Sequence, residues 1–115
     1  MTNENSNACY VFSQTTLELA LVEWFAIEND KSKQNKESLQ IAVTALPWFL
    51  KHLNQSAPIY TFSHDDLNTE MGNWKSLQQN AYPNQNKRIE ETCTLLLNFF
   101  KSETVINHKM IVEAQ

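Results

Sequence analysis

The residues able to do chemistry are few: His52, His64 and His108, the thiols Cys9 and Cys93, and 13 acids. Metal ligation needs such groups at close, directed spacing. The chain contains no His-Glu-x-x-His, no Cys-x-x-Cys and no calcium-loop pattern. His64-Asp65-Asp66 comes nearest, but two acids in a first helical turn are accounted for by the helix dipole. Nucleophilic catalysis would need a Cys or Ser beside a His with an orienting acid, and no local signature brings such a set together. Glu18 and Glu23 differ by about 140° on a helical wheel, so they cannot serve one small pocket from a shared helix. Glu18 follows Thr15 at capping-box spacing. Glu23 sits on the boundary between apolar faces. The residues therefore predict no catalytic group, no metal and no cofactor. A small enzyme or metal-binding bundle using Glu23, His52 or His64 remains the most remote reading.

Binding chemistry is better represented. Trp48 lies off the apolar stripe of its helix, beside Ile41 and near His52. Tryptophan is enriched among interface hot spots, and an off-stripe Trp serves either a second core layer or a partner. Leu19, Val22 and Ala26 form a narrow second stripe on the first helix, bracketed by Glu18 and Glu23. They suit helix–helix packing, inside the bundle or across subunits. The expected partner-binding set is thus Trp48, Ile41 and His52 together with Glu18, Leu19, Val22, Glu23 and Ala26.

The elements that must position these groups are mostly helices. Leu17, Ala20, Leu21, Trp24, Phe25 and Ile27 form a broad apolar face at helical spacing. With the narrow stripe opposite, this helix has apolar sides in excess of one core. It starts at Ser13, with Phe12 and Leu17 as a hydrophobic staple, or at Thr15 with Glu18, and runs to about Asn29. Asp30 to Asn35 reads as a connector. A second helix carries Leu39, Ala42, Val43, Leu46, Phe49, Leu50 and Leu53. Pro47 interrupts it without changing its phase, which predicts a kinked helix or two helices nearly end to end.

Ile59 to Phe62 is extended in character, as Ala8 to Phe12 can be. Ser63 caps a third helix whose stripe is Leu67, Met71, Trp74, Leu77 and Ala81. After a loop from Asn80 to Asn86, a fourth helix carries Ile89, Cys93, Leu96, Leu97 and Phe100 on one face, with Phe99 beside it. The tail from Glu103 to Gln115 suits a strand or a short helix. As a strand it needs Tyr10 to Phe12 or Ile59 to Phe62 beside it. The expected fold is a mainly α, compact single-domain bundle over residues 1–115, with about four helices, a minor β element from the C-terminal tail and a frayed start at 1–7.

Composition narrows the function classes. One glycine, Gly72, is too few for phosphate-cradling loops or a sheet of tight hairpins. Net charge is −4, and residues 1–30 hold Glu4, Glu18, Glu23, Glu28 and Asp30 without a Lys or Arg. Direct nucleic-acid binding needs a basic footprint, and Lys31, Lys33 and Lys36 read instead as a solvated connector. There is no signal-peptide pattern and no membrane-length apolar run, so the cytoplasm is the expected compartment. Asn- and Lys-rich usage with a single arginine, Arg88, suggests an AT-rich bacterial or phage genome.

These features favour a non-enzymatic, acidic protein-binding module that occupies a partner's surface, as an inhibitor, immunity-type or anti-defence protein does. The acidic N-terminal third points to a larger protein partner with a basic or nucleic-acid-binding surface. The alternative is a self-associating structural or assembly bundle, a homodimer through the first helix.

Overall fold

A computed structural model describes residues 8–31, 36–53 and 59–113. The expected frayed segment 1–7 lies outside the described residues, as does most of the connector after Asp30. The order is β1 (Ala8–Ser13), α1 (Gln14–Lys31), α2 (Lys36–His52), β2 (Ile59–Ser63), α3 (His64–Ala81), a 3-10 turn at Pro83–Gln85, α4 (Asn86–Phe100), α5 (Glu103–Asn107) and β3 (Ile111–Glu113). This is a mainly α domain with a small three-stranded sheet.

The sheet order is β2-β1-β3, with both pairings antiparallel. Tyr10 stands opposite Phe62 on one side and Ile111 on the other. Strand alternation therefore turns Tyr10, Phe12 and Phe62 to one face, and all three are buried. That face meets the C-terminal end of α4. Phe100 packs edge-on to Tyr10 at 5.3 Å and to Phe62 at 5.8 Å, with Phe99 at 5.2 Å. The Tyr10 hydroxyl donates to the Phe100 carbonyl at 3.2 Å. Burial pushes the Tyr10 phenol up to about 12. Burial likewise pushes the Cys93 thiol up to about 11, a rise that Lys75 opposes and Glu90 adds to. Both cysteines are free thiols.

Local signals decide where the helices begin. Ser13 Oγ accepts the Thr16 N–H at 3.2 Å, and Phe12 and Leu17 at the staple positions are both buried. The Ser13 start is the one used; Glu18 accepts from the Gln14 side chain at 3.2 Å instead of closing a box with Thr15. At α3, Ser63 Oγ accepts the Asp66 N–H at 3.1 Å and the Asp66 carboxylate accepts the Ser63 N–H at 3.5 Å, a complete capping box. α2 runs through Pro47 as one helix, because its buried residues Leu39, Ala42, Leu46, Phe49 and Leu50 keep one face on the core across the proline.

The tail adopts both of its expected conformations in succession. Ser102 Oγ donates to the Phe99 carbonyl at 2.6 Å where α4 ends. α5 then buries Thr104 and Val105. Lys109, at φ 58°, reverses the chain in the left-handed region. β3 pairs with β1, and the Val11 N–H donates to the Met110 carbonyl at 2.7 Å.

Candidate functional site

α2 and α4 run side by side in the same direction, tied at their starts by Arg88–Glu37 at 3.8 Å and Ser38–Glu91 at 3.2 Å. α3 runs the opposite way. It meets α2 where Trp74 packs on Phe49 at 5.5 Å and where His52 Nε2 lies 3.1 Å from Glu70 Oε1. Beyond that junction α2 and α3 part, and α4 lies between them as a floor. The result is an apolar groove of about 750 Å³. Ile41, Ala45 and Trp48 form one wall, Leu77 and Ala81 the other, and Ile89 and Thr92 the floor. Tyr82 stands at the far end.

Trp48 projects here because the residues of α2 that face the core are Leu39, Ala42, Leu46, Phe49 and Leu50. It is 61% exposed. Ile41 is half-buried and His52 is held by Glu70, so these three expected binding residues line one surface. The sequence misassigned the opposite wall. Leu77 and Ala81 continue the stripe of α3 at helical spacing, yet Leu77 is 55% exposed and Ala81 is exposed too. Their stripe is intact, but α2 has moved away from it by the last turns of α3. Tyr82, 57% exposed, was not singled out; the one available signal was an aromatic ring just past a stripe's end.

The electrostatics of the groove differ from those of the chain. Its lining includes Lys51 and Arg88 but no Asp or Glu, although the protein carries a formal charge of −4. Lys51 Nζ lies 5.6 Å from the centre of the Trp48 ring, within cation–π range. A more polar depression of about 610 Å³ adjoins at Gln85 and Arg88 and adds Lys87 and Glu91.

The remaining expected binding residues lie on α1. Leu17, Ala20 and Trp24 are buried, with Trp24 edge-on to Phe99 at 5.4 Å. Ile27, placed by the wheel on the same broad face, is 40% exposed, since it lies at the margin of that face. The narrow stripe, expected to pack against a helix inside the bundle or across subunits, is open. Leu19 is 59% exposed, Val22 is 70% exposed and Ala26 is exposed. Glu18 is exposed beside it. Glu23 Oε1 lies 2.9 Å from His108 Nε2 and ties α1 to the residue that follows α5.

The groups named for acid–base or metal chemistry have separate partners. Glu23 is with His108, His52 with Glu70, and His64 Nδ1 lies 3.4 Å from the Tyr10 hydroxyl. Each imidazole is within hydrogen-bonding distance of its own neighbour, and of these pairs only His52–Glu70 borders the groove. Among the described residues, no group of three or more His, Cys, Asp or Glu side chains is placed to hold a metal ion. Among the same residues, no helix is long and apolar enough to cross a membrane. No protein-family model, no curated protein and no solved structure matches this chain.

Proposed function

We propose that this protein is a non-enzymatic binding module that engages a protein partner through the groove between α2, α3 and α4. The observation that carries this reading is the outward exposure of Trp48, Leu77 and Tyr82 around one apolar depression. Apolar side chains scattered singly need no explanation, but a contiguous set in a concave surface marks a binding site. The groove follows α2 from Ile41 to His52, about 16 Å, which matches about three turns of a helix laid along it. Helix-in-groove recognition uses such anchors at helical spacing. Lys51 favours an occupant with acidic residues beside its apolar stripe, and Arg88, which also lies 3.8 Å from Glu37, adds to it. That preference differs from the basic partner expected from the acidic N-terminal third, where Glu23 and Glu28 already have His108 and Lys31 beside them.

A module of this kind acts by covering part of its partner, as an inhibitor or immunity-type protein does. A cytoplasmic setting belongs to the same reading and is supported by the two free thiols. The test is affinity capture from the native host with wild-type and Trp48→Ala proteins as matched baits. Trp48→Ala should weaken retention of the partner by about 2 kcal/mol or more while leaving the fold intact. Equal recovery of the same proteins by both baits would remove the groove from the account.

A further inference from the structure

The occupant that the groove calls for is present on this same chain. α1 presents Leu19, Val22 and Ala26 at i, i+3 and i+7, all exposed, so they line one side of the helix. The stripe spans about 10 Å, within the length of the groove. Acids surround it: Glu18 on one side, Glu23 on the other and Asp30 in line with it one turn beyond Ala26. Among the described residues, Glu18 and Asp30 form no ion pair, Lys31 being turned to Glu28, whereas Glu23 is held by His108. The groove supplies the complementary set: Trp48, Leu77 and Tyr82 exposed, Lys51 at the rim with Arg88, whose guanidinium also lies 3.8 Å from the exposed Glu37, and no carboxylate in the lining.

The geometry points to α1 of a second copy as the segment that seats in this groove, an assignment that rests on the groove being a helix-binding surface. Apolar stripe meets apolar walls, and the acids of α1 meet Lys51 and Arg88. Because the two surfaces are different parts of the chain, the contact is heterologous. Each bound copy still offers a free groove at one end of the assembly and a free α1 at the other, so copies add head to tail. A single helix-in-groove contact is small for a protein interface, so association depends on concentration and weakens as salt screens the rim charges.

The test uses the full chain. Its mass is measured by light scattering from about 10 μM to about 1 mM, the range in which weak contacts form. Wild type should grow in mean mass with concentration and lose mass when salt is added. Val22→Lys, which sets a cation against Lys51 and Arg88, and Trp48→Ala, which empties a wall, should each weaken self-association at least 30-fold, the factor that corresponds to about 2 kcal/mol. Mixed together they should recover a 1:1 dimer and stop there, since only the intact groove of one and the intact α1 of the other remain. Leu19→Lys and Tyr82→Ala replace either variant if it does not fold. A wild-type chain that stays monomeric throughout overturns the second copy as occupant, while host capture still decides on the groove. Dimers that survive Trp48→Ala but not Val22→Lys also overturn it, because they would place α1 against α1. A mixture that remains monomeric overturns it as well.

Discussion

Toward the sheet, α2, α3 and α4 close on one another; toward the α3–α4 turn, α2 and α3 part while α4 stays tied to α2 as the floor between them. At the closed end Phe100 packs on Tyr10 and Phe62 of the strands, and Phe49 and Phe99 are buried against Phe100. Along the open groove Trp48, Leu77 and Tyr82 face outward. The same classes of side chain occur in both regions, on the same helices. The difference is that the sheet covers one end of the bundle, and no element among the described residues covers the other. Aromatic rings at the closed end hold the fold, whereas those in the groove are free to contact another molecule. Neighbouring residues record the contrast most sharply: Phe49 is 0% exposed and Trp48 is 61% exposed.

The largest effect is expected at the closed end. Phe100→Ala removes the ring shared by Tyr10, Phe62, Phe99 and Phe49. It should cost about 3–5 kcal/mol, read as the shift in a urea unfolding midpoint. Survival of the variant with unchanged stability would mean that the aromatic junction does not hold the fold. Alkali should act on the same end. The folded-state phenol of Tyr10 titrates near 12 instead of 10, so the unfolded chain loses that proton first. The stabilisation associated with the neutral phenol is therefore present below pH 10 and is lost as pH rises from 10 toward 12. Tyr10→Phe should flatten that part of a stability-versus-pH curve; an unaltered curve would place the phenol in contact with solvent.

Ser63→Ala sharpens the comparison at an intermediate scale. It removes the α3 cap, for a loss of about 1 kcal/mol, and does so at the closed end without touching the groove. Its unfolding midpoint should fall while binding through Trp48 is kept. The smallest stability effect is expected in the groove itself. Trp48→Ala should change unfolding free energy by no more than about 0.5 kcal/mol, in contrast with its effect on binding. A loss of several kcal/mol would return Trp48 to the core.

Much of the architecture was readable because local chemistry and core pattern agreed. Ser63 with Asp66 specifies the start of α3, and the stripe of α2 holds its phase through Pro47. The tail was harder, because Val105 and Ile106 suit either a short helix or a strand, and it takes the left-handed turn at Lys109 to allow a helix and then a strand. What periodicity could not disclose was where one helix leaves another. Leu77 and Ala81 obey the pattern of a buried stripe and are nevertheless open, since burial depends on the divergence of α2 and α3. Similarly, the wheel identified Leu19, Val22 and Ala26 as a second apolar side of α1 but could not say whether a neighbour covers it. Trp48, Ile41 and His52 were legible as a group because all three lie off the face that α2 gives to the core.

The proposed binding surface is the groove and not the aromatic junction. The three tryptophans report on it separately in one titration, through their indole N–H resonances as the partner captured from the host is added to the labelled protein. Trp48 should shift or broaden strongly, Trp74, buried in the same groove lining, should respond less, and Trp24, buried against Phe99, should not move. A partner that perturbs Trp24 while leaving Trp48 unchanged would rule out the groove as its binding surface.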